Sequence, residues 1–402
     1  MTPTQPTSPR VSIYLQLFVL MLSRLILNIS LRMVYPFAPA LARGLNVPLA
    51  SVTNLITLRN ISGMSSPLFG PLSERYGRRP ILILGLVIFG ISSILIFYAP
   101  FFGVLGFVLI VGSLGKVIFD PAMQSYIGDT VPYKFRGRAI SFTELSWAGG
   151  LFIGGPVVGW LIATQGWRAP FLWLGILAIV AAAVIWIVID PPNPSESRRI
   201  SLVQMGQVWR QYPVIRAAAF YVMFVMAANE TLFIVYGSWM EVSFNLSLAA
   251  LGVTTTLIGV AEIIGEFTAG FAVDRFGKRQ VILITGTATA VAYLVMPLFG
   301  LSITSALVLL FIMFLVFEIT VVGAIPLMTE LVPSYRAIVM ASNAAFGSIG
   351  RAIGSTLGPW LWQQFGYQAN GVVAMVMMII AIIILYRNIH EYRENDSSEI
   401  TE

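Results

Sequence analysis

Gly70-Pro71-Leu72-Ser73-Glu74-Arg75-Tyr76-Gly77-Arg78-Arg79 is a stretch that returns 200 positions later as Gly270-Phe271-Ala272-Val273-Asp274-Arg275-Phe276-Gly277-Lys278-Arg279. Four of the ten positions are identical, and three more exchange similar side chains. A second echo follows in nearly the same register, because Asp129-Thr130-Val131-Pro132 returns as Glu330-Leu331-Val332-Pro333. A repeat of about half the chain length in an apolar protein predicts two structurally similar halves, as in many secondary transporters.

The composition places most of the chain in a membrane. Of the 402 residues, 57% are hydrophobic and only 10% are charged, and the mean hydropathy is +0.84. A soluble domain is about one quarter charged. Cysteine is absent, which excludes disulfides and thiolate metal sites. The net charge of +6 comes from basic residues in short loops, so it indicates membrane orientation rather than nucleic-acid binding.

A membrane-spanning helix takes about 20 apolar residues, so roughly twelve spans fit this length. The sequence predicts an all-α polytopic protein of twelve transmembrane helices in two pseudo-symmetric six-helix bundles. The proposed division is 1–190 for the N-terminal bundle, 191–212 for a cytoplasmic linker, 213–390 for the C-terminal bundle and 391–402 for a cytoplasmic tail. The predicted spans are 12–39, 48–72, 80–99, 104–130, 138–163, 168–189, 213–240, 248–272, 280–300, 304–331, 337–363 and 368–387.

The basic residues predict the orientation. Nearly all of them fall in loops on one side, which by the positive-inside rule is the cytoplasm. We therefore expect a multi-pass protein of the plasma membrane, of the bacterial inner-membrane type, with both termini cytoplasmic.

Ionisable residues within spans are costly and usually face the interior of a helix bundle. Spans 3, 6, 9 and 12 have none, which predicts that they form the lipid-facing scaffold. The first half contributes mostly cations and the second mostly carboxylates. The residues are Arg24, Arg32, Arg59, Lys116, Asp120, Glu144, Glu230, Glu262, Glu266, Glu318 and Arg351.

The repeated stretch resembles the signature that the major facilitator superfamily carries between spans 2 and 3 and again between spans 8 and 9. Glu74 departs from the usual aspartate, and Ala272 and Val273 loosen the second copy. The resemblance implies alternating access and a midplane site lined by spans 1, 4, 7 and 10. It also implies that the motif controls conformation, with Asp129 and Glu330 as partners of the loop cations. The residues of this predicted gating group are Gly70, Glu74, Arg75, Gly77, Arg78, Asp129, Gly270, Asp274, Arg275, Gly277, Lys278 and Glu330.

Gly155-Pro156-Val157-Val158-Gly159 in span 5 partly resembles a motif of the drug–proton antiporters in this superfamily. Gly354-Ser355-Thr356-Leu357-Gly358-Pro359 fits that pattern better, but it lies in the other half. Helix packing and kinking explain both segments equally well. We expect an interdomain group comprising Arg59, Glu144, Gly155, Pro156, Arg351, Gly358 and Pro359.

Proton coupling would have to use carboxylates, because the only histidine, His390, lies in the tail. Glu262 and Glu266 share one face of span 8, and two carboxylates so close in a low dielectric would not both ionise. The alternative is that Arg351 or water satisfies both. Glu230 beside Asn229, and Glu318, lie on the central helices of the second half.

In the first half, Asn28 and Arg32 occupy the corresponding region of span 1, and Lys116 and Asp120 are spaced to neutralise each other. The predicted substrate or proton site is Arg24, Asn28, Arg32, Lys116, Asp120, Asn229, Glu230, Glu262, Glu266 and Glu318.

These patterns predict a secondary active transporter that exports a small amphipathic or drug-like molecule in exchange for protons. A lipid or lysolipid translocator that binds an anionic headgroup through Arg24, Arg32 and Lys116 is one alternative. A non-transporting membrane sensor on the same fold is another, and uptake of a sugar or an organic anion stays open. No P-loop is present, so we expect no ATP hydrolysis and no enzyme activity. The expected partners are the lipid bilayer and the substrate, with the proton as coupling ion, no cofactor, no metal, no nucleic acid and a monomeric state.

Overall fold

The computed structural model describes residues 11–65, 69, 72–73, 75–189 and 202–390. Within these residues the chain forms helices and no β-strand. The α-helices are α1 (Ile13–Leu45), α2 (Leu49–Ser62), α3 (Arg78–Tyr98), α4 (Phe102–Thr130), α5 (Tyr133–Phe152), α6 (Gly154–Gln165), α7 (Ala169–Val188), α8 (Leu202–Gln211), α9 (Pro213–Phe233), α10 (Tyr236–Phe244), α11 (Leu248–Phe276), α12 (Lys278–Phe299), α13 (Ile303–Glu330), α14 (Arg336–Phe365) and α15 (Tyr367–Asn388).

Ten segments of the described chain are long and apolar enough to cross a membrane. Two of them, Arg138–Gln165 and Pro213–Phe244, each run through a pair of helices. The second and eleventh predicted spans fall outside these ten, but both are helical, as α2 and α14. Within the described residues, each of the twelve spans expected from the sequence therefore contains a helix or a helix pair.

The span formed by α5 and α6 is interrupted at Ile153, where the sequence predicted one helix. Pro156 has no N–H group to donate to the carbonyl oxygen of Phe152. Threonine hydroxyl groups of α11 supply hydrogen bonds to the end of α5 instead. Thr256 Oγ1 donates to Phe152 O (3.4 Å), and Thr255 Oγ1 donates to Leu151 O (3.2 Å). The span formed by α9 and α10 is interrupted at Ile234 and Val235, also unexpectedly, and it contains no internal proline.

The backbone confirms the internal duplication. Gly77 and Gly277 have φ values of 88° and 85° and precede α3 and α12. Gly166 and Gly366 have φ values of 89° and 80° and precede α7 and α15. Residues with a side chain rarely adopt such angles. Two tight turns that need glycine thus recur 200 residues later.

The helices form two compact units, each composed of several chain segments. The first comprises Met1–Leu31, Leu68–Gly150 and Arg168–Arg198, as far as these residues are described. The second comprises Arg32–Pro67, Leu151–Trp167 and Arg199–Glu402, with the same restriction. In the first unit α3 packs on α4 and α7, and in the second α9 packs on α14 and α15. The proposed division of the sequence by a linker at 191–212 stays a prediction.

Candidate functional site

Glu230, at the end of α9, lies in the second unit, where it is 2% exposed. Asn60 Nδ2 of α2 donates to Glu230 Oε1 (3.1 Å), and the Tyr35 hydroxyl of α1 donates to the same carboxylate. The guanidinium groups of Arg351 and Arg59 lie near this carboxylate. Glu230 is therefore a buried carboxylate with two hydrogen-bond donors and two guanidinium groups around it.

The partners of Glu230 are tied to one another, so the site is a connected network. Arg59 Nη2 donates to the Tyr35 hydroxyl (2.9 Å) and to Asn60 Oδ1 (3.2 Å). Asn60 Nδ2 also reaches Ser355 Oγ of α14 at 3.4 Å. We call Tyr35, Arg59, Asn60, Glu230, Arg351 and Ser355 the Glu230 network.

An aromatic cluster lies against this network. Its members are buried and come from α1, α9, α10 and α13. Phe233 lies in the middle, with ring centroids 4.7 Å from Tyr35, 5.9 Å from Tyr236 and 5.4 Å from Phe314. Phe317 extends the cluster to the residue before Glu318, 6.4 Å from Phe314. The five rings give this part of the second unit a large apolar surface beside a buried carboxylate.

Glu262 of α11 forms a buried ion pair with Arg32 of α1. Both nitrogens of the guanidinium fork donate, Nη1 to Oε2 at 2.6 Å and Nη2 to Oε1 at 2.5 Å. The two side chains are 3% and 2% exposed. The sequence analysis expected that Glu262 and Glu266 would not both ionise, and the structure gives Glu262 a partner, Arg32, that the analysis did not name for it. Arg351, the alternative partner suggested by the sequence, lies near Glu230 instead.

Glu318 of α13 is buried and lies where α13 meets α11. A Cβ atom added to Gly265 would lie 2.8 Å from Glu318 Cβ, so glycine at that position allows the close approach. Gly265 directly precedes Glu266, which is partly buried. The structure thus places Glu318 beside the face of α11 that carries the other two glutamates.

A second group of charges lies in the first unit. Arg24 of α1 contacts Asp120 of α4 (Nε–Oδ1, 3.3 Å) and Glu144 of α5 (Nη1–Oε1, 2.8 Å). Lys116 pairs with Asp120 on the same helix, as their spacing predicted. Two cations and two carboxylates therefore neutralise each other. Glu144, expected between the domains, instead pairs with Arg24 because α5 packs beside α1 in this unit.

Both predicted asparagines make contacts of their own. Asn28 Nδ2 donates to Ser146 Oγ of α5 (3.1 Å), in the first unit. Asn229, adjacent to Glu230 in sequence, accepts a hydrogen bond from the Tyr293 hydroxyl of α12 (3.4 Å). The structure therefore does not join either amide to the Glu230 network.

The repeated motif forms the same contacts in both halves. Arg78 donates to Asp129 (Nε–Oδ2, 2.9 Å), and Lys278 pairs with Glu330, which are the partners expected from the sequence. The last arginine of each copy, which the sequence analysis did not include in the gating group, binds the end of a neighbouring helix. Arg79 donates to Trp186 O, and Arg279 Nη2 donates to Tyr386 O at 2.7 Å. Basic side chains commonly satisfy the last carbonyl groups of helices in this way.

The remaining members of the predicted gating group are exposed, have open space around them or lie outside the described residues. Gly70 and Glu74 lie outside the described residues. No described atom lies within 4 Å of a Cβ added to Gly270, so close packing does not require glycine there. Arg75, Asp274 and Arg275 are exposed.

The small residues of α6 and α14 hold helices close together. A Cβ atom at Gly155 would lie 3.0 Å from Gly252 O of α11. One at Gly358 would lie 2.6 Å from Thr231 O of α9. Gly358, expected at a contact between domains, thus packs within its own half, since the absence of a side chain lets α14 approach α9. Pro359 follows it inside α14.

Tyr35, Asn60 and Ser355 are network members that the sequence analysis did not single out. Asn60 carried the strongest signal, because it follows Arg59 in a span and polar residues inside membranes usually have partners. Tyr35 and Ser355 are of types that occur throughout membrane helices, so nothing in the sequence distinguished them.

The chain is similar to known proteins over most of its length. The family model described as Major Facilitator Superfamily matches residues 20–238 and again residues 218–401. Multidrug resistance protein 2 of Bacillus subtilis is 26% identical over 357 residues, covering 85% of this chain and 88% of that protein. Quinolone resistance protein NorA of Staphylococcus aureus is 23% identical, covering 91% of this chain and 96% of that protein.

Among solved structures, a D-xylose–proton symporter superposes with a TM-score of 0.79 at 17% identity. The match covers 94% of this chain and 98% of the symporter. At this identity the likeness shows the fold alone, which is that of twelve helices in two pseudo-symmetric six-helix bundles.

Proposed function

The chain belongs to the Major Facilitator Superfamily, and we propose that it exports small amphipathic, drug-like molecules in exchange for protons by alternating access. The observation that carries this proposal is Glu230, a carboxylate 2% exposed within a membrane span. Ionisable residues are costly in that position and usually serve substrate or proton transfer. Relatives named for multidrug and quinolone resistance support the direction of transport and the substrate class.

The Glu230 network provides a physical basis for coupling. Ionised Glu230 attracts Arg351 and Arg59 and accepts hydrogen bonds from Asn60 and Tyr35. A proton on Glu230 removes the charge and weakens these contacts to α1, α2 and α14. A cationic substrate would compete for the same carboxylate. Proton and substrate therefore compete for the same carboxylate, as antiport requires.

The aromatic cluster supports an amphipathic substrate. Phe233 stacks on Tyr35, whose hydroxyl binds the carboxylate, and it also contacts Phe314. Aromatic faces attract both apolar groups and cations. A molecule with a flat apolar body and a positive charge has the complementary chemistry.

The structure gives no support to the lipid-translocator alternative. Each of the three cations expected to hold an anionic headgroup already has a carboxylate partner: Arg24 contacts Asp120, Lys116 contacts the same carboxylate, and Arg32 contacts Glu262. An anionic headgroup would have to displace these carboxylates. The sensor alternative is disfavoured because the chain's relatives include named resistance proteins.

The remaining parts of the proposal concern the location of the protein, its oligomeric state and the coupling ion. We place the protein in a bacterial plasma membrane with both termini cytoplasmic, working as a monomer without a cofactor. The proton is the proposed coupling ion, with Glu318 as the second carboxylate of the pathway, since it is buried on the neighbouring helix α13.

Proton flux in proteoliposomes tests the proposal. A pH-sensitive dye trapped inside reports proton movement when ethidium, norfloxacin or tetracycline is added under an imposed pH gradient. We expect at least one probe to drive flux, and Glu230→Gln to abolish it. Glu241→Gln is the matched control, because Glu241 lies on the same span but forms a partly exposed pair with Arg43. Undiminished flux in Glu230→Gln, or no flux with any probe, would refute the proposal.

A further inference from the structure

The interruption between α9 and α10 begins at Ile234, one helical turn after Glu230. A helix end leaves its last four carbonyl groups without partners inside the helix. Here Glu230 O accepts from the Ile234 N–H (3.0 Å), but the next two carbonyls depend on α15. Asn370 Nδ2 donates to Thr231 O at 2.8 Å, and the Tyr367 hydroxyl donates to Leu232 O at 3.5 Å. One turn of α15 therefore supplies the donors that complete the end of α9.

Asn370 serves this position only as a donor. Its side chain is fully buried, and Nδ2 also donates to Gly358 O of α14 at 2.8 Å. Its Oδ1 atom has no hydrogen-bond partner among the described residues. Burying an amide oxygen without a partner is costly, so the value of asparagine here lies in its two N–H groups. These groups link α9 to α14.

Both linked helices carry the Glu230 network. A Cβ atom at Gly354 of α14 would lie 2.6 Å from Glu230 Cβ, so the two helices touch at Glu230 itself. On the other side of the interruption, Tyr367 stacks on Trp239 of α10, with ring centroids 4.5 Å apart. The first turn of α15 thus contacts the chain on both sides of the break.

We propose that Asn370, assisted by Tyr367, is a positioning residue that maintains the interruption and thereby holds the Glu230 carboxylate against Asn60 and Tyr35. Without these donors, the carbonyl groups of Thr231 and Leu232 would need other hydrogen-bond donors. The N–H groups four residues later would satisfy them in a continuous helix. Rewinding would turn the end of α9 and separate Glu230 from its partners. The functional part of this inference rests on the role proposed above for Glu230.

Carbodiimide labelling of Glu230, read by mass spectrometry, tests the positioning independently of transport. Dicyclohexylcarbodiimide reacts with protonated carboxyl groups in apolar surroundings. We expect Asn370→Leu, which keeps the volume but removes the donors, to raise the labelling rate of Glu230 about tenfold, in line with the loss of interhelical hydrogen bonds in a bilayer. Thr289→Val is the control, because it removes a buried threonine hydrogen bond between α12 and α13.

Rescue and transport complete the experiment. Asn370→Gln keeps the amide donors, so we expect the labelling rate of Glu230 and the proton flux to return to their wild-type values. We expect Asn370→Leu to lower the proton flux about tenfold. Tyr367→Phe is a second variant for the case in which Asn370→Leu does not fold. It removes one hydroxyl donor and keeps the stacking, so we expect a smaller change in the same direction. Labelling at the wild-type rate in folded Asn370→Leu would overturn the inference, as would failure of folded Asn370→Gln to restore it. If Glu230→Gln retains full flux, the proposed proton role fails, and labelling alone then supports or overturns the positioning role.

Discussion

Replacing Glu262 with glutamine measures how strongly its ion pair with Arg32 holds α1 against α11. The two side chains are almost completely buried and share two hydrogen bonds of 2.6 Å and 2.5 Å. A hydrogen bond to a charged group contributes about 1.5–3 kcal/mol, so two contribute about 3–6 kcal/mol. Removing one partner of a buried pair costs about 3–5 kcal/mol, because a charge stays behind without its counterion.

Glutamine keeps one acceptor oxygen, so we expect the lower end of that range, a loss of about 3 kcal/mol in the free energy of unfolding. Equilibrium unfolding in mixed micelles with increasing dodecyl sulfate, followed by the fluorescence of the nine tryptophans, measures this loss. The double variant Arg32→Gln/Glu262→Gln removes both charges. We expect it to be more stable than Glu262→Gln alone, since no buried charge then lacks a counterion.

Two outcomes would refute the reasoning. A loss below about 1 kcal/mol for Glu262→Gln would mean that water or another group replaces the carboxylate, as happens for exposed pairs. Strict additivity in the double variant would mean that Arg32 and Glu262 do not interact in the folded protein.

Two further substitutions are expected to lower the free energy of unfolding by different amounts. Gly155→Ala places a methyl group against the Thr255 side chain and 3.0 Å from a backbone carbonyl oxygen, so we expect a loss of about 1–3 kcal/mol in the same unfolding assay. Gly128→Ala, with no described atom within 4 Å of the new methyl group, is its control, and equal effects of the two would contradict the packing argument. Glu330→Gln removes a partly exposed partner of Lys278, so we expect a loss below about 1 kcal/mol, and a loss as large as that of Glu262→Gln would show that exposure does not determine the strength of these pairs.

The sequence predicted contacts that are local or that the repeat duplicates. Lys116 and Asp120 are four residues apart on one helix, so their pairing needs only helical geometry. The partners of the two loop motifs were implied by the family resemblance, and the second echo places Asp129 and Glu330 at equivalent positions. The Lys116–Asp120 prediction succeeds because one helix fixes the distance, whereas the loop contacts join residues 51 and 52 positions apart and depended on the resemblance.

Contacts between distant helices were not predictable in the same way. Arg32 and Glu262 are 230 positions apart, and which carboxylate a buried guanidinium meets depends on how each helix is rotated. The i, i+4 spacing of Glu262 and Glu266 was correct as a statement about one helix, but it could not show that α1 supplies a cation there. The interruption after Glu230 was missed for a related reason, since its cause is a donor on α15 rather than a proline within the span.

The two halves are duplicated in backbone but not in charge, and this difference determines where a proton can act. In the first unit Arg24 and Lys116 face Asp120 and Glu144, so the cluster is neutral and each charge has a neighbour of opposite sign. Protonating one of its carboxylates would leave a buried cation without a counterion, which is costly. Glu230 differs in its hydrogen-bond donors, Asn60 and Tyr35, which are neutral, although Arg351 and Arg59 lie nearby. These donors lose only hydrogen bonds when Glu230 takes a proton, whereas protonated Asp120 would lose direct ion pairs with both Arg24 and Lys116. A carrier must be able to occupy both states within one cycle, and on this ground Glu230 is a better candidate than the carboxylates of the first unit.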